Sequence, residues 1–200
     1  MKKVIRVSIA IVAMGMLVLG YYFFLSKRLE PKEKKVDAQY REYQEIAAKD
    51  FKTSYPGTPR KVVKWYNRII TEFYAKDYAG GKDDDKLAKL CDQARCLFDD
   101  ELLKQNPREQ YIKSVKGDIL AYKNRKAKII QTKVCETEDV EVTTYNGYDV
   151  AYVWTYYFGK EGNDYTKTYQ QFCLRLDKDG RWKILTWKLV DGDPDMFSKE

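Results

Sequence analysis

VEVTTYNGYDVAYVWTYYFGKEGNDYTKTYQQFCLRLDKDGRWKILTWKLV, residues 140–190, decides the fold. Side-chain character alternates with a period near two, and β-branched and aromatic residues crowd each run. Asn146-Gly147 is a strong hairpin signal, because both residue types tolerate the positive φ of a tight two-residue turn. A loop containing Gly and Asn at 159–164 and the Asp179-Gly180 pair mark two further reversals. With KIIQTKVCE (128–136) just upstream, these runs predict four or five antiparallel strands.

Before residue 127 the period lengthens to that of a helix. YPGTP (55–59) is a break, after which Thr58 can cap free amides and Pro59 occupies the first helical position. Val62, Tyr66, Ile69 and Phe73 recur at three- and four-residue steps, widened by Val63, Ile70 and Tyr74. The pattern stops ahead of Gly80-Gly81. A second helix opens on Asp83, Asp84 and Asp85, whose charges complement the helix dipole. Its expected buried stripe is Leu87, Leu90, Cys91, Ala94, Leu97, Phe98 and Leu102. A third starts at Asn106-Pro107 with Glu109 placed for a capping box, and buries Tyr111, Ile112, Val115, Ile119 and Tyr122. Lys123, Arg125, Lys126 and Lys128 at its end read as a solvated cap on the negative terminus. Helices followed by a strand meander predict an α+β domain, with three helices packed on one face of a curved antiparallel sheet.

The N-terminal region reads differently. VSIAIVAMGMLVLGYYFFL (7–25) holds no charge and follows Lys2, Lys3 and Arg6. About twenty apolar residues at 1.5 Å rise fit a hydrocarbon core of roughly 30 Å. The bulky exit at Tyr21, Tyr22, Phe23, Phe24 and Leu25 lacks a small-x-small cleavage site, so the expectation is an uncleaved signal-anchor. Basic residues number three before the run and five just after it (Lys27, Arg28, Lys32, Lys34, Lys35), a count that by itself favours an outside N-terminus. The basic export head and a long downstream domain argue the other way, and the expectation is a cytoplasmic tail at 1–6 with the rest outside the membrane. The expected division is then 7–25 anchor, 26–54 charged linker and stalk, 55–192 extracytoplasmic domain and 193–200 tail, in a single-pass protein of the cell membrane.

The charge of +7 and pI near 9.0 invite a nucleic-acid reading. Its distribution removes that reading, because residues 36–200 carry 29 basic and 28 acidic residues. The excess sits beside the apolar run, where each Lys or Arg gains about 1 kcal/mol near anionic lipid. The expected partners are the bilayer, through residues 7–25 and their basic flanks, and an envelope protein or a second copy of the chain; nucleic acid is not among them.

Histidine is absent, which excludes Ser-His-Asp and Cys-His catalysis and histidine-ligated metal. Cys91, Cys96, Cys135 and Cys173 permit two disulfides or serve as four small apolar thiols, and both remain open. Cys91 and Cys96 on one helix point about 140° apart and cannot pair there. Their spacing does not suit a four-cysteine zinc site. DGDPD (191–195) fails the EF-hand test, since Met196 stands where the loop needs Gly. No cofactor, metal or catalytic set is expected.

YPGTPRKVVKWYNRIITEFY (55–74), LFDDELLKQNP (97–107) and FCLRLDKDGRWKILTWKLVD (172–191) resemble blocks in a family of single-span, membrane-anchored proteins of anaerobic Gram-positive bacteria that has no assigned function. The likeness covers roughly residues 50–192. The order of elements is also similar to the NTF2-like (cystatin-like cone) fold. That likeness implies a pocket between helices and sheet, with Trp65, Tyr66, Tyr152, Trp154, Tyr156, Trp182 and Trp187 as candidate lining residues. Aromatic residues at these spacings also build cores, and fold alone does not assign chemistry. The expectation is a non-enzymatic binding or interaction module. The alternative is a scaffold resembling the NTF2-like assembly factors of conjugative secretion systems, with a pocket enzyme third.

Overall fold

The computed structural model describes residues 40–76, 78, 82–192 and 194–197. It divides into two units, Met1–Glu42 and Tyr43–Glu200. Of the first, only residues 40–42 are described, and they are helical. The apolar run at 7–25 lies outside the described residues. Among the described residues no helix is long and apolar enough to cross a membrane.

The second unit is an α+β domain with a five-stranded antiparallel sheet. Residues 43–48 are helical (α1). Tyr43 and Ile46 on this segment, and Phe51 just after it, are buried in the main core, although the sequence reads the region as stalk. Gln93 explains the attachment: its side-chain amide donates to the carbonyls of Ala47 at 3.1 Å and Lys49 at 2.9 Å. Two otherwise orphaned helix-end acceptors are thereby satisfied.

Helix α2 (Pro59–Ala75) begins as its sequence demands, with Thr58 Oγ1 accepting from the Lys61 amide at 3.2 Å and Pro59 in the first turn. It buries Val62, Val63, Tyr66, Ile69 and Phe73 against the sheet. Helix α3 (Asp84–Arg95) carries Asp84 and Asp85 in its first turn and buries Leu87, Leu90, Cys91 and Ala94.

Two helix expectations need correction. The stripe from Leu87 to Leu102 does not lie on one helix, because α3 stops at Arg95 and the chain turns through Cys96 and Leu97 into a bridge at Phe98. There the Ile184 amide donates to the Leu97 carbonyl at 2.9 Å, and the Asp99 amide donates to the Ile184 carbonyl at 2.8 Å. Pairing with a distant strand outcompetes continuation of the helix. A short helix, α4 (Asp100–Gln105), follows, capped by Asp99, which accepts from the Glu101 amide at 2.9 Å. The second correction concerns α5 (Arg108–Asn124), whose N-cap is Pro107 and carries no side-chain cap, so Asn106 and Glu109 form no capping box.

The strands are β1 (Ala127–Val134), β2 (Glu141–Tyr145), β3 (Tyr148–Glu161), β4 (Asp164–Leu176) and β5 (Trp182–Val190). Their order is β1-β3-β4-β5, and β2 shares with β1 the same edge of β3. Asn146 and Gly147 adopt φ of 51° and 80°, as a two-residue β2–β3 hairpin requires. At the β4–β5 turn the Asp177 carboxylate accepts from the amides of Asp179 and Arg181. All four cysteines are free thiols; burial pushes the Cys91 thiol up to about 12, while Cys96 is exposed.

Candidate binding cavity

The strand pattern fixes which side chains meet the helices. Thr155 and Tyr157 of β3 both bond Asn67 of α2: the Asn67 amide donates to Thr155 Oγ1 at 2.8 Å, and the Tyr157 hydroxyl donates to Asn67 Oδ1 at 2.6 Å. Thr155 Oγ1 in turn donates to the Lys133 carbonyl of β1 at 2.7 Å. Odd-numbered residues of β3 therefore face the helices, and even-numbered ones face away. In β4 the pairing Val153–Phe172 puts the even residues on the helix side.

Between α2, α5 and this inner face lies a cavity of about 410 Å³. That volume falls in the roughly 300–1,000 Å³ range of small-molecule sites. Tyr66, Tyr111 and Trp187 form an aromatic floor, with the Tyr66 and Trp187 ring centres 5.8 Å apart and the Tyr66 and Tyr111 hydroxyls hydrogen-bonded. Tyr74 of α2 and Tyr122 of α5 stack at 4.0 Å along one wall, with Ile70, Phe73 and Val115 filling the same side. The sheet supplies Tyr157, Gly159, Thr166, Thr168 and Gln170. At the mouth stand Asp118, Arg125 and Glu161, with Arg125 Nε 3.9 Å from Glu161 Oε1 and its guanidinium 5.2 Å from the Tyr122 ring centre.

Gly159 has a steric role here. A Cβ at that position would stand 3.3 Å from the Lys128 carbonyl oxygen and 3.9 Å from Thr166 Oγ1, closing the sheet side of the mouth. Burial pushes the hydroxyls of Tyr66, Tyr74, Tyr111 and Tyr157 well above the ordinary tyrosine value. Near neutral pH they are protonated groups that donate or accept hydrogen bonds. Among the described residues no group of three or more Cys, Asp or Glu side chains could hold a metal ion.

Of the seven aromatic candidates, the structure brings Tyr66 and Trp187 into the cavity and places the other five elsewhere. Trp65 lies edge-on to Phe51 at 5.6 Å, beneath the guanidinium of Arg68 at 4.4 Å. Tyr152, Trp154 and Tyr156 belong to the outer register of β3. Tyr152 is hydrogen-bonded to Cys173, its cross-strand neighbour. Tyr156 packs against Phe197 at 5.1 Å. The indole N–H of Trp154 is buried without a hydrogen-bond partner among the described residues. Trp182 lies toward the opposite end of β5, where its carbonyl accepts from the Tyr55 hydroxyl at 2.8 Å.

Tyr74, Tyr111, Tyr122 and Tyr157 are lining residues that the pocket reading missed. The helical stripes of α2 and α5 already contained the first three, and two such stripes facing one sheet were the available signal.

The family described as "Domain of unknown function (DUF6715)" matches residues 1–187. The chain belongs to that family. The match includes every residue of the cavity and most of β5. A comparison with curated proteins gives no match.

Proposed function

We propose that this member of the DUF6715 family is a membrane-anchored binding module, displayed outside the membrane, that holds a small ligand between its helices and sheet. The observation that carries the reading is the cavity of about 410 Å³, walled by seven aromatic side chains and rimmed by ionic groups. Core packing would ordinarily fill the space between an amphipathic helix pair and a sheet. Helices on the inner face of an antiparallel sheet, with a cavity between them, also support an NTF2-like cone. Anchoring rests on the uncharged run 7–25 and its basic flanks.

Native mass spectrometry of the full chain, extracted from its own membranes, tests the binding reading. A small molecule retained by the natural chain and lost on Gly159→Phe, which fills the mouth, is the expected result. Identical spectra free of any small molecule in both would sink it. Reporter fusions at Glu200 test the topology: activity of a periplasm-type alkaline phosphatase is expected, and activity of a cytoplasmic reporter alone would invert it.

One feature favours the scaffold reading as second. Strand β2 is exposed throughout, pairs through one edge only among the described residues, and leaves Val142 and Tyr145 in solvent. Open edges are templates for pairing with another chain. A Val142→Pro variant, at a position whose N–H points away from β3, that abolishes self-association of the chain would favour that role.

A further inference from the structure

The inner face of β4 changes chemistry along its length. Leu174 and Phe172 are fully buried core residues. The next inner positions, Gln170, Thr168 and Thr166, all border the cavity. Among the described residues, none of these three side chains has a hydrogen-bond partner. Three consecutive helix-facing positions thus present hydroxyl and amide groups that the fold itself does not use.

Strand parity also sorts the charges. Ala127 pairs with Glu161, and Ile129 with Gly159, on the inner face. Lys128 and Lys160 pair with each other on the outer face, where Lys160 lies over the Tyr165 ring at 5.1 Å. The cavity lining carries the carboxylates Asp118 and Glu161 and the cations Arg125, Lys128 and Lys160, with Arg125 shared between Glu161 and the Tyr122 ring. Strand parity turns the two lysine side chains outward, so they border the cavity from its rim.

We propose that the cavity takes an uncharged sugar-like ligand: a ring with apolar C–H faces and several hydroxyls. This deepens the binding-module reading and rests on it. The C–H faces pack on Trp187 and Tyr74. Hydroxyls donate to Asp118 and Glu161, and exchange hydrogen bonds with Thr166, Thr168 and Gln170. Competing chemistries fit less of the site. An anion is repelled by Asp118 and Glu161. A quaternary ammonium uses the aromatic faces but leaves the β4 ladder without partners, and Arg125 already covers one face of Tyr122. A wholly apolar ligand strips water from three polar groups and replaces none of their bonds.

The test uses the full chain in lipid nanodiscs, free of sugar-headed detergent. Cellobiose and diacetylchitobiose are titrated by calorimetry alongside tetramethylammonium and benzoate, with the Trp187 indole resonance as the local reporter. A disaccharide is expected to bind and shift that resonance. The double variant Thr168→Val with Gln170→Leu is expected to weaken binding by about ten-fold through two lost hydrogen bonds, with an unchanged melting temperature. Disaccharide binding untouched by the double variant would place the sugar elsewhere and overturn the proposal. Benzoate or tetramethylammonium shifting Trp187 while neither disaccharide does so would overturn the ligand class and leave a binding cavity. Silence from all four probes would overturn the ligand class; a ligand-free mass spectrum as well would overturn the binding module.

Discussion

Strands β3 and β4 run through two unlike halves of one domain. At the end near the β4–β5 turn, Phe98, Leu174 and Ile184 pack with Leu97 into a dry cluster, and Arg175 holds the nearly buried Asp99 at 2.5 and 3.0 Å. At the other end the same strands carry Tyr157, Gly159, Thr166 and Thr168 beside an open cavity. The contrast teaches a division of labour within single strands. One half supplies folding free energy, and the other gives some of it up to keep a cavity and polar groups available.

The sharpest break of this comparison is a paired substitution on β4. Phe172→Ala removes a fully buried ring and should cost about 3–5 kcal/mol. Thr168→Val, two inner positions away, should cost under about 0.5 kcal/mol because it removes no hydrogen bond of the fold. Urea midpoints of the two variants check this, and similar losses would mean that the two ends are energetically alike.

Asp99→Ala comes next, at about 2–3 kcal/mol, since it strips the cap from α4 and leaves the Arg175 guanidinium without its main partner. Arg175 retains Glu101 at 2.8 Å, which limits the loss. Gly147→Val tests a point away from both ends. With φ at 80° the residue sits where a β-branched side chain is strained, so a loss of about 1 kcal/mol or more is expected. An unchanged midpoint would show that the turn adapts.

The smallest effect at neutral pH belongs to the cavity tyrosines. Tyr66, Tyr74, Tyr111 and Tyr157 have native values raised above the unfolded value of 10.0, chiefly by burial. An unfolded chain therefore releases these protons first. Their contribution is complete below pH 10 and is lost as pH rises toward the native values. Alkaline unfolding followed at 295 nm should show these hydroxyls ionising together with loss of structure, and Tyr157→Phe should flatten part of the fall. Early, independent ionisation of all four would show that the cavity end is wet and loose.

Much of this architecture is legible in local sequence. Thr58-Pro59 announces α2, Asn146-Gly147 announces a hairpin, and the change of period near residue 127 separates helices from strands. The break after Arg95 is not legible, because Leu97, Phe98 and Leu102 keep helical spacing while the backbone turns aside to meet Ile184. Only a residue far along the chain decides that segment. The cavity is half legible for a related reason. Both faces of β3 are apolar, since Tyr156 meets Phe197 on the outside while Val153 and Tyr157 meet the helix side. Period-two alternation then cannot say which register looks inward, and Tyr152, Trp154 and Tyr156 fall on the outer one.

Strand β3 pairs with β1, β2 and β4, so three of the four strand ladders have it as a member. This gives the domain an order of assembly. The apolar faces of α2, α3 and α5, with β1, precede their common partner in the chain. Long-range pairing is slow, because loop-closure entropy is lost before contacts repay it. A nascent chain that has delivered residues up to about 145 exposes these faces and two unpaired strands. It becomes a protease-resistant body only when β3 arrives, and Ile184 then latches onto Leu97 and Asp99 as a late long-range closure. A kinetic trap in this protein would accumulate before β3, and truncation series should show resistance to digestion appearing in a step as the chain extends past Glu161.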